Sequence, residues 1–337
     1  MKIYYSYIKG ALIYFSLLLL LLFSGCQTCN RKQKVRISRV QLEDVKIKRY
    51  GKDLFNIDPE HVKENLEVLS TDYRFFIGNN YDDTLNIIQI YEYITDPFLV
   101  RIAETCNQKY PSLDQIESQL TNAFKHYKYY FPEKSIPQVY TYISGVDFEY
   151  PVQYFDSIMI ISIDDYLGKD FIPYKKLGIP GYRMKRMERE YIVPDCMKEI
   201  TNKEFSPKRP GNRLIDHMIN EGKELYFLDL VLPEFPDTVK IGYTGNQLDW
   251  CYENEENLWV FLIENELLYS SDYQKIGKLI NDGPFTSFLS RKSPGKLAVW
   301  LGWQIVRSYM DNNNVTLKEL MVNKDPQNIL NKSGYKP

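Results

Sequence analysis

Apolar residues recur at three- and four-residue intervals along most of the chain, and in short alternating or unbroken runs over a small part of it. The first pattern predicts helices and the second strands. Val45 to Leu54 predicts a strand that leads into Asp58-Pro59, where Asp can cap a helix and Pro can take its first position. The helix that follows turns Val62, Leu66 and Leu69 inward. Asp83 to Ile94 and Pro97 to Tyr110 predict two more helices divided at Asp96-Pro97, and Ser112 to Tyr130 aligns Ile116, Leu120, Phe124 and Tyr127 in one stripe. Gln138 to Ser144 and Ser157 to Ile163 are rich in Ile, Tyr and Val and predict two strands separated by Gly145 to Asp156, the second buried on both faces. Helical spacing returns over Met184 to Ile200, Asn212 to Asp229, Asn246 to Tyr269, Gly295 to Met310 and Thr316 to Val322. Thr244-x-x-Gln247 and Thr316-x-x-Glu319 are capping-box patterns at two of these starts. The expectation is an α+β fold, mostly helical with a small central sheet, in a single domain over residues 43–337.

The amino end follows a different logic. Lys2 and Lys9 precede an apolar run from Ala11 to Phe23, and Ser24-Gly25 are small residues before Cys26. That is the layout of a secretory signal over residues 1–25. The run is shorter than the roughly 20 residues a helix needs to span the hydrocarbon core. Phe23-Ser24-Gly25-Cys26 resembles the lipobox of bacterial lipoproteins, which implies cleavage before Cys26 and lipid attachment to its thiol. Several acyl chains on one cysteine make a durable anchor where one is marginal. Residues 26–42 then form a basic tether, with Arg31, Lys32, Lys34, Arg36 and Arg39 but no acidic residue from Gln27 to Arg39. Such a stretch suits anionic headgroups. By the same resemblance, Gln27 and the absence of an acidic run imply a periplasm-facing position on the outer membrane.

Composition narrows the function classes. The 337 residues carry 42 Lys+Arg against 44 Asp+Glu, so bulk charge gives no attraction for nucleic acid. The chain holds 28 Tyr, and its only alanines are Ala11, Ala103, Ala123 and Ala298. Tyrosine must therefore supply much of the packing, each hydroxyl reaching water or a partner. Cys106, Cys196 and Cys251 are far apart and predict buried free thiols. Cys26-x-x-Cys29 has redox spacing, but a lipidated Cys26 cannot serve as a thiolate.

Motifs for chemistry are sparse. No Gly-x-Ser-x-Gly, P-loop or Gly-x-Gly-x-x-Gly pattern occurs, and the motifs call for no cofactor. The histidines are His61, His126 and His217, and none begins a His-Glu-x-x-His pair. His217 and Glu221 stand four apart on a predicted helix and could share an ion with Glu256, Glu264 or Glu266; the plainer reading is a helical surface pair. Asp164-Asp165 close the buried strand before Tyr166-Leu167-Gly168 and could serve as acid and base or as a ligand site, although Asp with a following Gly is also turn chemistry. Gly302 between Trp300 and Trp303 suits close helix packing in a core.

Several segments carry a family resemblance: Lys48 to Phe55, Lys128 to Pro132, Ile163 to Gly168, Asp216 to Tyr226, Gly283 to Thr286 and Ser293 to Met310. Together and in order they resemble the GldB family of gliding-motility lipoproteins. The resemblance implies a lipid-anchored envelope protein with an envelope protein partner, associated with gliding motility or a related process, and brings no enzymatic activity with it. The layout is also distantly similar to zinc metallopeptidases, with Glu221-Gly222 and Tyr226 on the second helix. The helix before it, Met184 to Ile200, has no histidine, so that scaffold is degenerate. The rival to a non-catalytic protein is a zinc-dependent, peptidase-like hydrolase using His217 and Glu221.

Overall fold

A computed structural model describes residues 37–337 apart from 80, 156 and 208–210. The signal, Cys26, Cys29 and most of the basic tether lie outside the described residues. Chain contacts separate Met1–Arg39 from Val40–Pro337. Of the first unit only the 3-10 turn Ile37–Arg39 is described; the rest of the fold belongs to the second.

Four strands form one sheet in the order β1-β2-β4-β3, with β1 Ile47–Lys48, β2 Gln138–Tyr142, β3 Val152–Phe155 and β4 Ile158–Ser162. β1, β2 and β4 run parallel, with Val139 opposite Met159, while β3 is antiparallel to β4 and pairs Val152 with Ile161. Both faces are covered. Val139, Met159, Ile161, Val152 and Tyr154 face the main core, whereas Tyr140, Tyr142 and Ile158 face a smaller one. Two-sided burial explains the unbroken apolar run in β4.

The helices of eight residues or more are α1 Val62–Ile77, α2 Thr84–Thr95, α3 Pro97–Lys109, α4 Asp114–Tyr130, α5 Ile192–Glu204, α6 Leu214–Val231, α7 Gly245–Glu253, α8 Glu255–Glu264, α9 Tyr273–Ile280, α10 Leu297–Asn312 and α11 Pro326–Ser333. α1 and α2 cover the smaller core; α4, α5, α6 and α10 build the main one. The stripe of α4 is buried as its spacing predicts. Both capping boxes form, at Thr244 before α7 and at Thr316 before the short helix Leu317–Val322.

α6 and α10 make the most extensive helix contact. Their backbones meet at glycines: a Cβ on Gly222 would sit 2.4 Å from the Gly302 carbonyl oxygen, and one on Gly302 would sit 1.9 Å from that of Met218. Trp300 and Trp303 are fully buried beside the crossing and are core residues. Below them Asp229 accepts from Trp303 Nε1, takes both Arg307 nitrogens at 2.7 and 2.8 Å, and receives Lys240 Nζ at 3.0 Å. This buried charge is therefore paired and satisfied.

Several boundaries differ from the sequence pattern. The expected strand from Val45 to Leu54 shrinks to β1 and then turns into the helix Tyr50–Leu54. Gly51 lies against the Tyr142–Ile143 backbone there, where a Cβ would fall 2.9 Å from the Ile143 nitrogen. β3 lies inside the segment read as a connection. The expected helix from Met184 to Ile200 is broken: Gly181–Met184 ends early, a 3-10 turn Arg189–Tyr191 follows, and α5 starts at Ile192 with Pro194 in its first turn, where no N–H is needed. The long helix over Asn246 to Tyr269 divides at Asn254, whose side chain bonds the Trp250 carbonyl at 2.8 Å in competition with the backbone.

Candidate functional site

β4 runs into a 3-10 turn, Ile163–Tyr166, that carries the two aspartates. Asp164 is fully committed to the fold. Its carboxyl oxygens accept from Ser144 N at 2.9 Å, Ser144 Oγ at 3.1 Å and Val146 N at 2.7 Å, pinning a turn in which Gly145 and Val146 both have positive φ.

Asp165 is different. It is 1% exposed, and neither carboxyl oxygen has a hydrogen-bond partner in the protein. Burial, and then the charges of Asp164 and Asp147, push its pKa up to about 9, so it keeps its proton at neutral pH. It lines a cavity of about 50 Å³ together with Arg186, Asp195, Met187, Phe148 and Pro151. That is a small polar recess in a filled core, not the roomy apolar pocket of a ligand carrier.

The far wall belongs to an ion cluster drawn from five segments. Asp195, in the first turn of α5, accepts from Tyr166 Oη at 3.0 Å and lies 3.7 Å from Arg186 and 3.9 Å from Lys198. Arg186 reaches Asp282 at 3.1 Å. Glu221 and Glu224 of α6 and Lys296, which precedes α10, are close enough to share this field. Burial, and then the neighbouring Glu221, raises Glu224 to about 8. Burial, and then Arg186, lowers Lys296 to about 7. Lys296 is one of three non-glycine residues with positive φ among the described residues, and its Nζ donates to the Ile241 carbonyl at 3.1 Å. Perturbed groups gathered beside one another make this cluster the functional-site candidate.

The 50 Å³ cavity shares Pro151 and Asp195 with a groove of about 560 Å³ between β3 and α5, whose walls include Gln153, Phe155, Lys198 and Lys203. On the other side, Asp282 also lines a cleft of about 810 Å³ with Tyr182, Tyr191 and Tyr243.

Glu221 is exposed and interacts with Lys198, Lys296 and Glu224, while the half-buried His217 leaves Nε2 without a partner. Neither they nor Glu256, Glu264 and Glu266 assemble: among the described residues no group of three or more His, Cys, Asp or Glu is placed to hold an ion. Cys106, Cys196 and Cys251 are buried free thiols, as their spacing implied. The residues the sequence did not disclose are Arg186, Asp195, Lys198, Asp282 and Lys296. No local motif links them; the nearest signal is Ser293-Pro294-Gly295-Lys296, a loop feeding an apolar helix.

Comparison with known families decides where the chain belongs. The family model described as gliding motility protein GldB matches residues 30–337, nearly the whole chain. The chain is a member of the GldB family. No curated protein and no solved structure matches it, so the distant similarity of this GldB-family fold to zinc metallopeptidases gains no support. Among the described residues no helix is long and apolar enough to cross a membrane.

Proposed function

We propose that this GldB-family protein is a cell-envelope lipoprotein associated with gliding motility, held to lipid through Cys26 and facing the periplasm from the outer membrane. The observation that carries the reading is the family match over residues 30–337, which covers the chain beyond the lipobox-like segment. The basic stretch Arg31 to Arg39 supports it, because each such charge near an anionic surface contributes about 1 kcal/mol. The folded part acts by presenting its surface to another envelope protein, without catalysis.

The anchor has a direct test. Cys26→Ala with the leader otherwise intact is expected to move the protein from the membrane fraction into the soluble envelope fraction. Retention of the variant on membranes after a carbonate wash would remove lipid on Cys26 as the tie. Crosslinking in cells, followed by identification of the attached protein, tests the partner.

A further inference from the structure

We propose that the cleft of about 810 Å³ bounded by α4, the 182–191 segment and the turns at Gly242 and Gly283 binds an oligosaccharide that carries a carboxylate on one of its rings. The inference goes beyond the anchor and the family reading and rests on neither.

Two large clefts differ in how far their polar groups satisfy one another. In the first, of about 860 Å³, Lys46 pairs with Glu117 at 2.9 Å, Lys125 lies 4.0 Å from Asp44, and the Thr121 hydroxyl accepts from Val45 N and donates to the Glu117 carbonyl. Its walls compensate each other. The second cleft, of about 810 Å³, does not do this. Two of its three carboxylates are held: Glu188 accepts from Lys169 N at 2.9 Å and lies 3.9 Å from Lys109, and Asp282 takes Arg186 at 3.1 Å. Its three cations, Lys169, Lys185 and Arg189, form no ion pair among the described residues. Lys169 and Lys185 are exposed. Arg189 is steadied by the Tyr110 ring, whose centre is 5.9 Å from the guanidinium carbon, and its terminal nitrogens have no partner in the protein. A guanidinium held in this way presents a fork that suits a carboxylate.

The rest of the wall suits hydroxyls. Gln115 and Gln119 stand one turn apart on α4, and their amides, like the hydroxyls of Tyr182 and Tyr191, make no hydrogen bond among the described residues. An amide offers a donor and an acceptor and a phenol serves as either, the mixture that neighbouring ring hydroxyls require. Other ligand classes fit less well. Apart from glycines, only Phe235, Val239 and Pro284 give the cleft wholly apolar walls, so an acyl chain would bury little against it. No strand of the sheet lines it, so a peptide cannot dock there by strand addition. A nucleic acid, with a phosphate at every unit, would meet Glu188, Glu190 and Asp282. The cleft is also braced in advance of any ligand: the Tyr243 hydroxyl donates to the Gly295 carbonyl, and Gly295 packs so closely that a Cβ would fall 2.6 Å from the Gly283 carbonyl oxygen.

Calorimetric titration of the detergent-solubilised full chain tests the site. The probes are tetrasaccharides of hyaluronan and of polygalacturonate, the same sugars with their carboxylates reduced to alcohols, oligothymidylate and polyglutamate. At least one acidic tetrasaccharide is expected to bind, with its reduced form at least about tenfold weaker, the scale of one lost charge-assisted hydrogen bond. Arg189→Gln should weaken the acidic sugar by a similar factor, and Lys185→Gln, at an exposed position, by a few-fold. Glu234→Gln, in the other cleft, should leave binding unchanged. No binding of either acidic tetrasaccharide, equal binding of acidic and reduced forms, or a folded Arg189→Gln variant that binds as the wild type does would overturn the site. Oligothymidylate or polyglutamate bound as tightly as the sugar would overturn the assignment to a saccharide, and a loss of binding in Glu234→Gln would overturn the choice of cleft. If Arg189→Gln fails to fold, the comparison of acidic and reduced sugars on the wild type and on Lys185→Gln still decides.

Discussion

Two adjacent aspartates in the same 3-10 turn have opposite fates, and the difference is set by residues about 20 positions away. Asp164 meets the Ser144 and Val146 donors; Asp165 meets none and stays protonated. The sequence shows two acids before a glycine, which is enough to predict a turn. It cannot show which one the β2–β3 connection satisfies, because that depends on the sheet having formed. The raised pKa of Asp165 has a signed consequence. Between the ordinary aspartate value of 3.8 and about 9 the folded state binds more protons than the unfolded state, so this group's contribution is full below the lower value and is lost as pH rises through the upper one. Asp165→Asn cannot titrate. Its stability relative to the wild type should therefore rise from pH 5 to pH 9, by at most about 1.4 kcal/mol per pH unit. Urea unfolding of both proteins at pH 5, 7 and 9 reads this directly, and taking the difference cancels the effects of Glu224 and Lys296. A difference that stays flat across that range would mean Asp165 is ionised in the fold.

At the level of elements, the helices were more legible than the strands because the caps and apolar stripes that define them are local. Thr244, Thr316 and Asp96 cap where they stand, and α4 buries the residues its spacing selects. β3 is four residues long and depends on pairing with β4, so local pattern alone could not separate it from a loop. The α6–α10 crossing lies between these cases. Gly302 invites close packing from sequence alone, whereas its partner surface at Gly222 and Met218 appears only once the helices are docked. Two effects compete at Gly302. In an exposed helix, Gly→Ala stabilises by about 1 kcal/mol through propensity. Here the added methyl would sit 1.9 Å from the Met218 carbonyl oxygen, on backbone that cannot rotate away. Sterics should win: Gly302→Ala is expected to lose about 1–3 kcal/mol, the usual cost of overpacking, seen as a lower denaturation midpoint with an unchanged slope. A midpoint at or above that of the wild type would show that the crossing is looser than the Cβ distance implies.

Across the whole molecule, the sheet separates two cores of unequal strength, and the ion cluster lies on the side of the larger one. That cluster was invisible in the sequence because Arg186, Asp195, Asp282 and Lys296 come from segments that only the tertiary fold brings together. The smaller core rests on α1, α2 and the outer face of β2 and β4, with Leu66, Tyr73 and Tyr140 at its centre. α2 buries only Ile94, and Val68 of α1 and Leu85 and Ile88 of α2 are exposed at 73%, 69% and 48%. Few buried apolar contacts mean a low free energy of local opening. α1 and α2 should therefore exchange their amide hydrogens by an opening smaller than global unfolding, whereas α6 and α10 exchange only through the global event. Core truncations in the two layers separate these routes. Leu66→Ala should accelerate exchange in α1 and α2 and leave α6 and α10 near their wild-type rates. Trp303→Ala, which removes a fully buried ring at a typical cost of about 3–5 kcal/mol, should accelerate exchange in α6 and α10 and shift the global midpoint. Exchange read by mass spectrometry on proteolytic peptides resolves the layers, and acceleration of every peptide by Leu66→Ala to the same degree would show one cooperative unit with no weaker layer.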